Sequence, residues 1–212
     1  MSSVQIYIFR HGETDWNRER RFQGHTDIPL NQVGRQQALE LKSHFVSLAP
    51  ELILSSDLSR ALETAKIVSD GLFVPIFVSE SLREAKLGTP EGQLRDDIIK
   101  IYGEESWQKW LSVDPKDIDF SYPEGETKRQ QRDRALNFIL KELETRRELK
   151  IIAVSTHGGT LRRLVHHCEG APPEPIAIPN CSLYHLEFNR QARKWLYHGS
   201  LNLSTSGDKL FR

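Results

Sequence analysis

Val4-Gln5-Ile6-Tyr7-Ile8-Phe9 runs without a break into Arg10-His11-Gly12-Glu13-Thr14. The first six residues are mostly β-branched or aromatic, the composition of a short buried strand. The five that follow are polar and contain a glycine, the composition of a loop at the strand's end. In α/β folds such a strand end is where chemistry is placed. This one gathers a permanent cation, an imidazole and several donors beside a glycine that lets backbone approach a ligand, a combination suited to phosphate.

Outward from this strand the same order recurs. Asn31 can cap a helix whose apolar positions Val33, Ala38, Leu41, Phe45 and Leu48 follow helical spacing, and Pro50 stops it. Residues 51–56 form a second apolar run, and residues 58–72 a second amphipathic helix. Residues 151–155 and 158–168 give another strand, loop and helix, and strands are expected at 182–188 and 194–198. The predicted fold is therefore α/β, a three-layer α/β/α sandwich with a mainly parallel sheet, in one domain spanning residues 1–202. Residues 75–87 look extended. Residues 88–122, with Trp107, Trp110 and weakly periodic charges, read as a small helical cap insertion, and residues 127–149 as a long charged helix. Residues 203–212 read as a flexible tail.

Composition narrows the partners. Lysine plus arginine equals aspartate plus glutamate at 29 each, so no global field recruits nucleic acid or an anionic membrane. No stretch approaches the roughly 20 apolar residues that span a bilayer. Met1 to Arg10 lacks the pattern of a secretory signal. The two cysteines, Cys168 and Cys181, have no zinc-like spacing. A cytoplasmic location is expected, with a small phosphoester as partner, no metal and no cofactor. A homodimer is left open. The pair His166-His167 lacks a third ligand, and the basic run Lys128 to Arg134 is expected to be a solvated helix face.

Four motifs carry the chemistry. Arg10-His11-Gly12, followed by Asn17 and the loop Arg21-Phe22-Gln23-Gly24, is the first. Ser55-Ser56-Asp57-Leu58-Ser59-Arg60 with Ala61-Leu62-Glu63-Thr64-Ala65 is the second, Leu82-Arg83-Glu84 the third, and Ser155-Thr156-His157-Gly158-Gly159-Thr160 the fourth. In this order they resemble the histidine phosphatase superfamily, also called phosphoglycerate mutase-like, from Tyr7 to about Ser182. The resemblance implies His11 as the nucleophile that carries the phosphoryl group and Glu84 as proton donor. It further implies His157 as a second histidine on the phosphoryl oxygens, with Arg10, Asn17, Arg60 and Gly158 binding phosphate. Gln23 and Gly24 are assigned to substrate binding. Alternatives stay open for four residues: His11 as an ordinary exposed strand-end histidine, Arg60 as a partner of Glu63 or Glu84, Glu84 as a structural partner of Arg83 or Arg60, and His157 as a satisfied loop histidine. Asn180-Cys181-Ser182 resembles a family turn near the pocket. The segment Gly88-Thr89-Pro90-Glu91-Gly92 departs from the family pattern.

The implied activity is metal-independent phosphomonoester hydrolysis through a phosphohistidine. The alternatives are a phosphoglycerate mutase and a non-catalytic module that binds a phosphoprotein. A mutase lid must be strongly cationic, and the cap holds only Arg95, Lys100, Lys109 and Lys116.

Overall fold

The computed structural model describes residues 3–202. A six-stranded sheet runs in the order β3-β2-β4-β1-β5-β6, with β1 Ser3–Arg10, β2 Leu52–Ser56, β3 Ile76–Ser79, β4 Ile151–Thr156, β5 Leu183–Asn189 and β6 Lys194–Ser200. Strands β3, β2, β4 and β1 are parallel, and β5 and β6 add an antiparallel edge, so the sheet is mixed with a parallel core.

The alternation along β1 explains why apolar residues fall on both of its faces. Val4, Ile6 and Ile8 face one way, into a core shared with helices α5 Lys128–Thr145 and α6 Gly158–Val165. Phe9 faces the other, against Ala38, Leu41 and Phe45 of α2 Gln32–Leu48 and Ala65 and Val68 of α3 Ser59–Ser69. A strand buried on both faces needs apolar residues at every position, and these layers make the α/β/α sandwich expected from the sequence.

Helix α2 begins as predicted: Asn31 Oδ1 accepts from the Gly34 N–H at 2.8 Å, and the helix ends at Ala49 in the left-handed conformation before Pro50. Val33, assigned to the apolar face, is instead 51% exposed. Gly34 is the buried residue of that turn, because the loop after β1 crosses the helix there. A β-carbon on Gly34 would lie 2.1 Å from the Glu13 carbonyl oxygen, and one on Gly12 would lie 2.3 Å from the Gly34 oxygen. The two glycines let backbone meet backbone immediately beside His11.

The stretch between Leu87 and Tyr122 forms helix α4 Arg95–Leu111, kinked at Gly103, and a 3-10 turn at Pro115–Asp117. Its core is a small aromatic cluster of Trp107, Trp110 and Tyr122 with Ala85, Leu87 and Ile98. A short helix α1, Asp15–Arg18, follows the first loop. The expected tail at 203–212 lies outside the described residues.

Gly34→Ala is expected to lower the unfolding midpoint by the equivalent of about 1–3 kcal/mol, since neither clashing backbone can yield. Denaturant titration checks this, and a wild-type midpoint would contradict the close approach.

Candidate active site

Strands β2, β4 and β1 are parallel neighbours, so their carboxyl ends open on one edge of the sheet. Residues far apart in sequence meet there. His11 sits at the end of β1, where its N–H donates to Thr156 O and its carbonyl accepts from Cys181 N and Asn180 Nδ2. Gly12 N–H donates to Thr64 Oγ1 at 3.1 Å, tying the loop to α3. The ring is 3% exposed, and its Nδ1 lies 2.7 Å from the Gly12 carbonyl oxygen. A carbonyl can only accept, so Nδ1 carries the proton and Nε2 keeps its lone pair. Burial, then Arg60 and Arg10, hold the imidazole well below its usual pKa, opposed by the Gly12 bond. His11 is thus a neutral imidazole, unprotonated at Nε2, and it lines the cavity.

Arg60, 1% exposed, is the cross-link behind it. Its Nη1 donates to Thr26 O at 2.9 Å and its Nη2 to Gly24 O at 2.8 Å, shaping the loop that presents Gln23 and Gly24. Its Nε donates to His157 Nδ1 at 3.2 Å, which leaves the His157 proton on Nε2, donating to Ser56 Oγ at 2.9 Å. Desolvation lowers Arg60 to about 10. It forms no ion pair with Glu63, which is taken by Arg35. His157 departs from the sequence expectation. It is fully buried with its ring centroid 5.1 Å from that of His11, but it does not line the cavity. Both its nitrogens are engaged by Arg60 and Ser56.

Glu84 occupies the amino end of α6. Its Oε2 accepts from Gly159 N at 2.8 Å, and its Oε1 accepts from Thr160 N, Ala85 N and Gln131 Nε2. The N–H groups of Gly159 and Thr160 are therefore spent on Glu84, while Gly158, expected to bind phosphate, lines the cavity. Oε2, with one protein donor, is the oxygen with room for a substrate. Glu84 is not a partner of Arg83, which forms a bidentate pair with Asp57.

The cavity, about 390 Å³, is lined by His11, Arg10, Asn17, Gln23, Gly24, Arg60, Glu84 and Gly158. Arg10 is held by its Nη1 bond to Ile178 O at 2.7 Å. Asn17 Oδ1 accepts from Thr14 N, Thr14 Oγ1 and Asn180 Nδ2, which turns the amide NH2 over to a ligand. Gln23 is buried at 8% exposure. The far wall is apolar, from Phe22, Trp107 and Trp110.

The basic run on α5 is a solvated face only in part: Arg129 and Gln130 are exposed as expected, whereas Lys128 and Gln131 are buried. Lys128 is 1% exposed and donates from Nζ to Lys109 O and Ser112 O, capping the carboxyl end of the cap helix. Gln131, fully buried, reaches Glu84. Arg134 donates to the carbonyls of Ser81, Arg83 and Glu84, fixing the segment that carries the acid. Lys128, Gln131, Ala135 and Ile139 share one helix face, a spacing visible in the sequence. Glu91, in the segment that departs from the family pattern, accepts from His25 N, Thr26 N and Leu87 N, clasping the loop after Gly24 to the cap. No sequence motif marks that pairing.

The sequence matches the histidine phosphatase superfamily (branch 1) over residues 6–200. It is 33% identical over 208 residues to the probable phosphoglycerate mutase GpmB of Escherichia fergusonii, covering 97% of this chain and 93% of that protein. Bacillus stearothermophilus YhfR superposes with a TM-score of 0.82 at 30% identity, covering 95% of this chain and 98% of that one. A mycobacterial glucosyl-3-phosphoglycerate phosphatase superposes with a TM-score of 0.82 at 23% identity, covering 96% and 100%, a likeness of fold. With a family match of this extent and curated relatives identical at a third of positions, the chain belongs to the histidine phosphatase superfamily and is an enzyme acting on phosphate esters.

Proposed function

We propose that the protein is a metal-independent phosphomonoesterase that hydrolyses a small phosphorylated metabolite through a phosphohistidine at His11. The observation that carries this reading is the Nδ1 contact to Gly12 O, which leaves Nε2 unprotonated on a residue that lines a cavity rich in guanidinium groups. Phosphoryl transfer is accelerated chiefly by positioning and charge stabilisation, and both are built here from side chains. Arg10, Arg60, the Asn17 amide and Gly158 N–H hold the non-bridging oxygens. His157 acts through Arg60, whose Nε it fixes. His11 Nε2 bonds to phosphorus as the ester P–O bond breaks, and Glu84 gives its proton to the departing alcohol oxygen. Water then attacks the phosphohistidine, the N–P bond breaks, and Glu84 takes the water's proton, restoring both groups.

A mutase must shield its phosphohistidine from water under a strongly cationic lid. Of the basic residues between 88 and 122, only Arg95 reaches the cavity. That supports hydrolysis over isomerisation, although curated relatives carry a mutase name. Phosphate release from 3-phosphoglycerate should exceed formation of 2-phosphoglycerate when both are followed side by side, with and without bisphosphoglycerate. Isomerisation far in excess of release, dependent on the bisphosphate, would assign the chain as a mutase.

Glu84→Gln should cut turnover of alkyl phosphates by about 10²–10⁴-fold and of activated aryl phosphates far less, because an aryl oxide departs without a proton. A β-carbon on Gly159 would lie 2.4 Å from Glu84 Oε1, so Gly159→Ala should give a weaker version of the same selective loss. Equal losses on both substrate types would make Glu84 structural.

A further inference from the structure

Arg162 has no place in the reaction described above. It is 5% exposed, lines the cavity beside Gly158 and Gly159, and its Nε is buried without a hydrogen-bond partner among the described residues. Its guanidinium donates to no described group. The contrast with its neighbour is direct. Arg163, 4% exposed on the same helix, also leaves its Nε without a partner, but its Nη1 and Nη2 donate to Ser112 O and Trp110 O and so anchor the cap. A buried guanidinium is retained at a cost unless something pairs with it.

Position along α6 sets where Arg162 reaches. Helical side chains tilt toward the amino terminus, so a residue one turn beyond Gly158 runs back toward the Glu84 end of the cavity. Glu84 is the foremost charge acting on Arg162, but its hydrogen bonds are to Gly159, Thr160, Ala85 and Gln131 and none is to Arg162. The wall as a whole is cationic beyond the needs of one phosphate. Besides Arg10 and Arg60 it carries Arg18, Arg20, Arg21, Arg95 and Arg162, with Glu84 as its one carboxylate. Arg18 and Arg21 pair with Asp15 and Glu19, whereas Arg20, Arg95 and Arg162 have no ion pair among the described residues. Arg95 is instead held over the Trp107 ring, 4.9 Å from its centroid.

We propose that Arg162 is a specificity residue that binds a second anionic group, carboxylate or phosphate, on the alcohol portion of the substrate, with Arg95 on the same cavity wall reinforcing the same preference. The inference rests on the phosphomonoesterase reading of the site and names its substrate class: phosphoesters whose leaving alcohol is itself an anion. A guanidinium fork matches either group bidentately, and an unpaired buried donor rejects a substrate that lacks the partner.

The test uses a matched three-carbon set: glycerol 1-phosphate, 3-phosphoglycerate and glycerol 1,3-bisphosphate. kcat/KM for phosphate release is measured on the wild type, and Kd on the His11→Ala protein, where binding is read without turnover. The wild type should favour at least one doubly anionic member over glycerol 1-phosphate by about ten- to hundredfold, and which member leads identifies the second anion. Arg162→Gln should bring that ratio close to one, with Arg162→Lys restoring part of it. A ratio near one for the wild type, in both kcat/KM and Kd, overturns the inference even if no variant folds. An Arg162→Gln protein that loses equally on all three members overturns it too, by assigning Arg162 to the reacting phosphate or to structure. Absence of phosphate release from every member and from aryl phosphates would instead sink the phosphomonoesterase reading, and the Kd ratio would still decide the role of Arg162.

Discussion

A guanidinium removed from water is tolerated only when its N–H groups find acceptors, and satisfying Arg60 organises this active site. The demand is met by groups from three separate parts of the chain: the Gly24 and Thr26 carbonyls, the His157 ring and, through that ring, Ser56 at the end of β2. Thr64, one turn along α3, returns a hydrogen bond to the Arg60 carbonyl while accepting from Gly12 N. The substrate loop, the second histidine and the loop carrying His11 are therefore aligned by one buried cation. Its charge also helps keep His11 neutral, so the group that shapes the site prepares the nucleophile as well.

A second network holds the acid and ties the cap to the core. Arg134 grips the backbone on either side of Glu84, Gln131 and the amino end of α6 grip its carboxylate, and Thr160 Oγ1 reaches back to Arg83 O. Lys128 and Arg163 meanwhile take the last carbonyls of the cap helix, the positions where cations complement the helix dipole. Glu84 and the aromatic wall of the cavity are consequently referenced to the same two helices, α5 and α6. Shape at the leaving-group end is set by elements distant in sequence from the phosphate site.

Much of this was legible in the chain because it is local. The β1 strand and its loop, the Asn31 cap and the α/β repeat are each written within a dozen residues, and the motif residues His11, Arg60 and Glu84 do line one cavity. His157 converges with them but lies behind the wall, a distinction of a few ångströms that only packing decides. The run from Lys128 to Arg134 reads as solvated because charge usually marks a solvent face, which holds for Arg129 and fails for Lys128. Lys128 and Arg134 are drawn inward by carbonyls opposite them, those of residues 109 and 112 and of 81, 83 and 84, and Gln131 by the Glu84 carboxylate and the Thr160 hydroxyl. Val33 failed for a related reason: the loop that covers its turn of α2 approaches backbone to backbone at Gly34 and leaves no room for a side chain.

The central claim is that His11 accepts the phosphoryl group, and rapid quenching decides it most directly. The protein is mixed briefly with a phosphoester labelled in its phosphate, quenched in base, digested and mapped. The account predicts one acid-labile, base-stable label on the peptide containing His11, formed and lost at rates compatible with turnover and absent from His11→Ala. Steady hydrolysis with no label on any histidine, or hydrolysis that survives in His11→Ala, would contradict it.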